Sequence, residues 1–170
     1  LALPDALPIS HSVRGVVHAP GGERIFPGRA PDVYYGNIND MGAIAEAAEG
    51  VDAAIHLVAV IRERQQATFQ SVNHLGTANV VAAAKQAGVK RFIHVSANGV
   101  TADRRFRYLY SKWLGEQEVI NSGLPFTILR PTIMFGPGDE FLNTLAGFAN
   151  LLPIAPIAGA GRNMSQPIAA

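Results

Sequence analysis

"FQSVNHLGTANVVAAAKQAGVKRFIHVSA", residues 69–97, carries two periodicities joined at one glycine. Before the join, apolar and small residues recur at helical spacing: Phe69, Val72, Gly76, Val80, Ala83 and Ala87. Gly76 on that face permits close approach to a neighbour, and Gly88 suits a helix stop. After the join, "RFIHVSA" is a short apolar run rich in residues that favour strands. A helix feeding directly into such a strand is half of a crossover unit.

The same alternation extends outward. Upstream, "VRGVVHAP" and "DVYYGNI" read as strands. "NDMGAIAEAAEG" reads as a helix capped by Asn39 or Asp40 and stopped at Gly50. "DAAIHLVAV" is a nearly unbroken apolar run, as expected of a strand buried on both faces. Downstream, a helix over "YLYSKWLGE" runs to about Asn121 and ends at Gly123, with Leu109, Trp113 and Ile120 on its expected buried side. "FTILRP" is the last clear strand. Strands alternating with helices predict an α/β protein with a doubly wound parallel sheet. Residues just past the strands then gather at one edge of the sheet, where such folds bind ligands.

Composition narrows the function classes. The chain has 170 residues, 48% hydrophobic and 16% charged, enough for a packed domain. A net charge of +1 argues against a general grip on nucleic acid. Cysteine is absent, which excludes disulfides and thiolate metal sites, and the five histidines are scattered. The longest apolar run, Ala53–Ile61, is too short to span a membrane.

Several blocks in order resemble the atypical and extended short-chain dehydrogenase/reductases. They are "GVDAAIHLVAV", "VNHLGTANVVAAAKQAGVKRFIHVSANGV", "YLYSKWLGEQEVINSGLPFTILRP" and "IMFGPGD". The resemblance is strongest to the complex I accessory-subunit branch and covers about Val13 to Gln166. It implies a Rossmann-like sheet truncated at both ends. Residues 1–12 stand outside the family, 13–150 form a partial NAD(P)-binding domain, and 151–170 begin a C-terminal substrate region. The chain is read as a piece of a longer protein.

The resemblance also implies roles. Asn37 and Ile38 would lie by the adenine. Leu57, Val58 and Ala59 would pass under the ribose and phosphates, and Ser96 would lie near the nicotinamide. Tyr108 would exchange the proton with a carbonyl or hydroxyl. Lys112 would bond the nicotinamide ribose and favour the tyrosinate, since a cation one helical turn away lowers a phenol's pKa. Pro131 and Thr132 would line the nicotinamide end. The cofactor implied is NAD or NADP in the full-length parent.

Two departures from the family pattern bear on function. No Gly-rich turn leading into a helix is found; Gly21 and Gly22 are the nearest candidates, with Pro27 and Gly28 too close behind. Dinucleotide binding by this chain alone is therefore not expected to be tight. Without the central first strand, the Val13 strand must either pair directly with the Ala53 strand or sit in a poorly ordered Val13–Asn37 region. The second departure is Asn98, which stands where catalytic members carry a hydroxyl. The favoured function is an accessory, cofactor-holding role linked to a respiratory complex or to quinone metabolism. One alternative is an active sugar-nucleotide epimerase/dehydratase or carbonyl reductase using Tyr108 and Lys112. Another is a redox-sensing regulator. The expected partners are a dinucleotide and proteins of a membrane-associated assembly, with neither nucleic acid nor a membrane span. The expected location is cytoplasmic, with peripheral attachment at the inner membrane as the alternative.

Remaining signals have ordinary readings. His56 and His94 are expected to be core histidines satisfied by backbone, and Asn73 and His74 to hold a neighbouring loop. Arg104, Arg105 and Arg107 read as a solvated loop, Trp113 as core, and "FGPGDEF" as a turn with a cap at Asp139.

Overall fold

A computed structural model describes residues 11–22, 32–136, 147 and 166–169. It divides into two compact units, 2–130 and a second formed mainly by 131–170. The Asp139 cap and residues 1–10 lie outside the described residues.

In the larger unit, β1 (Arg14–Val17) pairs in parallel with β2 (Asp32–Tyr35). Helix α1 (Met41–Ala48) follows, with the Asp40 carboxylate accepting the backbone N–H groups of Gly42 and Ala43. Gly50, at φ +68°, supplies the left-handed turn into β3 (Ala53–His56). A π-helical segment, Phe69–Gly76, runs without a break into α2 (Thr77–Gln86). Next come β4 (Arg91–Val95), α3 (Arg107–Ile120) and β5 (Phe126–Leu129). Strands β3, β4 and β5 form a parallel sheet with β4 in the middle. The core gathers Val81 and Ala84 of α2, Val119 of α3, Phe92 of β4 and Val89, with Ala54 and Ile128 packed against it. On the other side of the sheet, Ile55 and Leu129 are 38% and 50% exposed.

Three expectations are corrected here. Strand β1 pairs with β2 and forms no ladder with β3, so the direct pairing is not made. Strand β3 is shorter than its apolar run, and Leu57 and Val58 beyond it are 40% and 46% exposed. Among the described residues it has a strand on one edge only, so backbone pairing cannot carry the run further. The buried side of α3 also differs. Ser111, Lys112, Gly115, Glu116 and Val119 face inward, whereas Ile120 is 42% exposed. Leu109 is only half-buried, as is Trp113, which stacks on Tyr110 instead of entering the core. The cause is Gly115: a Cβ there would lie 2.6 Å from the Asn73 carbonyl oxygen, so its bare backbone lets α3 close onto the π-helical segment.

In the smaller unit, β6 (Met134–Phe135) pairs in parallel with β7 (Ile168–Ala169). The last strand read from the sequence is "FTILRP", and β6 and β7 lie beyond it. A two-residue strand has too little pattern to announce itself.

Candidate functional site

Parallel strands bring the residues after their C-terminal ends to a common edge. Asn37 is exposed and its side-chain oxygen accepts the N–H of Asn39, which tightens the turn after β2. Ile38 is half-buried against Gly76, and its carbonyl accepts from Asn79 of α2 (3.2 Å). Leu57, Val58 and Ala59 are exposed after β3. The next residue, Val60, is held on both sides by Asn73. Its N–H donates to Oδ1 (2.8 Å), and its carbonyl accepts from Nδ2 (3.0 Å). Asn73 Nδ2 also donates to Ser111 Oγ, which donates to the Tyr108 carbonyl. One fully buried asparagine thus ties the loop after β3 to the start of α3. His74 pairs with Glu118 (2.9 Å).

Ser96 follows β4 and is buried. Its hydroxyl makes no hydrogen bond of normal geometry among the described residues. Lys112 is 1% exposed, and its ammonium donates to the Val95 carbonyl (2.9 Å) at the end of β4. Burial lowers its pKa to about 8, opposed by the negative charge of Glu116. Tyr108 is half-buried, edge-on to Phe69. Burial raises its phenol pKa, the reverse of the shift expected from a neighbouring cation. Asn98 is exposed. Pro131 and Thr132 belong to the smaller unit, where the Thr132 hydroxyl donates to the Gln166 carbonyl.

The histidines depart from the backbone-satisfied reading. His56 bonds to the Thr77 hydroxyl (3.0 Å), which itself donates to the Asn73 carbonyl (2.8 Å). The hydroxyl has one proton, so His56 must be the donor through Nε2. His94 stacks on His56 (5.3 Å between ring centres), and neither of its ring nitrogens has a partner among the described residues. Burial, first of all, lowers the pKa of His56 to about 3 and of His94 to about 4. The His94 ring is used for packing, and neither its N–H donor nor its acceptor nitrogen is met among the described residues. Of the arginines read as a solvated loop, Arg105 pairs with Asp103, whereas Arg107 opens α3 and pairs with Glu63.

The sequence reading missed Glu116 and Arg130. Glu116 is fully buried on α3, and Arg130, just after β5, grips both its oxygens (2.8 and 2.6 Å). Burial pushes the Glu116 carboxyl up, but Arg130 holds it below the ordinary carboxylate range. The available signal was position: residue 116 is one helical turn from Lys112 and flanked by Gly115 and Val119.

Exposed residues follow β2 and β3, and the buried Ser96 follows β4. No Gly-rich turn feeding a helix stands among the described residues; Gly21, at φ +94°, sits in the turn after β1. A family model described as NAD(P)H-binding matches residues 2–140. The chain belongs to the NAD(P)H-binding family. Among relatives of the chain is NADH dehydrogenase (ubiquinone) 1 alpha subcomplex subunit 9, mitochondrial, of Rattus norvegicus. It is 31% identical over 129 residues, covering 76% of this chain and 34% of the rat protein. Ceramide reductase of Caulobacter vibrioides is 31% identical over 126 residues, covering 74% of this chain and 39% of that protein. Among solved structures, MoeE5 in complex with UDP-glucuronic acid and NAD superposes with a TM-score of 0.74 at 22% identity. That match covers 93% of this chain and 60% of the other, and shows the shared fold. The chain spans about a third to two fifths of the length of these two curated relatives. The fold is that of the atypical short-chain dehydrogenase/reductases, an α/β Rossmann-like sheet.

Proposed function

We propose that this chain is the cofactor-holding core of an accessory protein, serving a respiratory complex or quinone metabolism. The observation that carries this reading is the state of the Tyr108–Lys112 pair. Burial raises the Tyr108 phenol, and the Lys112 ammonium is directed to the Val95 carbonyl. A general base works best with a pKa near the working pH, and this tyrosine is moved away from it. Asn98 can donate a hydrogen bond but cannot replace a hydroxyl in every role. The rat relative's printed name, a subunit of NADH dehydrogenase, supports the same reading.

In this reading a nicotinamide dinucleotide lies along the strand ends. Asn37 and Ile38 bound the adenine, and Leu57, Val58 and Ala59 offer backbone to ribose and phosphates. Ser96 and Lys112 lie by the nicotinamide end, for which Pro131 and Thr132 are the further candidates. When bound, the cofactor supplies hydride-transfer capacity. Residues 13–150 form the nucleotide-binding part and 151–170 the start of a substrate region. Protein partners lie in a membrane-associated assembly, peripheral to the inner membrane; no described helix is long and apolar enough to cross a membrane. With no Gly-rich cradle among the described residues, the 170-residue chain is expected to bind dinucleotide weakly or not at all.

A second reading, an active reductase or epimerase/dehydratase, is favoured by Tyr108 and the buried Lys112 lying one turn apart on α3, and by the relative named ceramide reductase. The two are separated by titrating NADH and NADPH against Trp113 fluorescence and assaying cofactor turnover with ceramide-type ketones and nucleotide sugars. Weak binding without turnover is expected. Turnover that disappears in Tyr108→Phe would replace the accessory role with the enzymatic one.

A further inference from the structure

Lys112 is a buried ammonium with one hydrogen-bond acceptor among the described residues, the Val95 carbonyl. Such a charge survives burial only beside an opposite charge. The groups whose charge it feels are Glu116 on α3, His94 on β4 and His56 on β3; Tyr108 stands one helical turn away on α3, and Arg130, after β5, bonds Glu116. Tyr108 is a neutral phenol at pH 7, and both histidines are neutral there. Arg130 is a cation, turned to Glu116. Among the described residues, Glu116 is therefore the anion that faces Lys112.

Glu116 makes no direct ion pair with Lys112. Arg130 takes both carboxylate oxygens in a forked contact. That clamp has two effects. It keeps the buried carboxylate ionised, and it stops Glu116 from swinging back one turn and drawing the ammonium away from the strand end. We infer that Glu116, clamped by Arg130, is the positioning residue that keeps Lys112 charged and fixed at the Val95 carbonyl, within reach of the nicotinamide end of the site. The inference deepens the proposed function and rests on it for the purpose Lys112 serves.

The chain has three lysines, Lys85, Lys90 and Lys112, so side-chain NMR of lysine-labelled full-length chain can follow each one through pH. In the unsubstituted protein Lys112 titrates near 8. In Glu116→Gln its midpoint falls by about one pH unit, while Lys85 and Lys90 stay where they are. A merely structural role predicts the reverse, because loosening this region exposes Lys112 and returns it toward the ordinary lysine range. Arg130→Gln is the second variant. It frees Glu116 to swing back one turn and pair with the Lys112 ammonium, which then keeps the carboxylate ionised in place of Arg130, so the Lys112 midpoint rises with the backbone amide spectrum unchanged. It also decides the matter if Glu116→Gln does not fold. An unmoved midpoint in either folded variant, or an upward drift in Glu116→Gln, overturns the inference. The titration needs no cofactor. Failure to bind dinucleotide would strike the functional reading alone, and an unmoved Lys112 would strike this one alone.

Discussion

His94 shows how far a residue's chemistry depends on what surrounds it. Its ring is fully buried, stacked on His56, and no described group accepts or donates to either nitrogen. Both histidines are held neutral, His56 to about pH 3 and His94 to about pH 4. Their folded pKa values lie below the unfolded value of about 6.5, so the unfolded chain takes up protons first on acidification. Their contribution is intact above pH 6.5 and is lost as pH falls from there toward the folded values. By pH 5 each costs about 2 kcal/mol. Urea midpoints at pH 7.5 and pH 5 should therefore differ, and His94→Leu should flatten the difference. A midpoint independent of pH between these values would refute the assignment. The sequence showed two histidines inside apolar strands; it could not show that one finds a hydroxyl and the other nothing, because Thr77 reaches His56 only through the packing of α2 on β3.

At the scale of elements, the helix and strand order was legible because each element carries its own period and stop. Asp40 caps α1, and Gly50, Gly88 and Gly123 sit at positive φ where the sequence placed turns. The orientation of α3 was not legible. Its large apolar residues suggest one inward face, yet the helix buries Ser111, Lys112, Gly115 and Glu116. Close approach to the π-helical segment decides it, and that approach requires glycine at 115. Gly115→Ala would set a methyl against the Asn73 carbonyl, a backbone atom that cannot turn aside. The substitution should cost about 1–3 kcal/mol despite alanine's better helix propensity. Chemical denaturation checks this; an unchanged or raised midpoint would mean that α3 has room to shift.

For the whole molecule, strand pairing sets where the fold is firm. Strand β4 has a partner on each side, whereas β3 has one among the described residues. Amide exchange should therefore be slowest at Phe92 and His94 and faster by at least tenfold in β3, where alternate backbone groups point away from the ladder. Equal protection of β3 and β4 would show that something covers the outer edge of β3. The same incompleteness explains why an apolar run fit for a fully buried strand ends as exposed Leu57 and Val58.

By itself the sequence determined the alternation of elements, the parallel sheet it entails and the NAD(P)H-binding lineage, because period, caps and ordered motifs are local properties of the chain. The tertiary structure alone decided the rest: the face α3 buries, the anchoring of Val60 by Asn73, and the Glu116–Arg130 clamp behind Lys112. These depend on groups distant in sequence meeting at hydrogen-bond range, and residue spacing along one chain does not encode that distance.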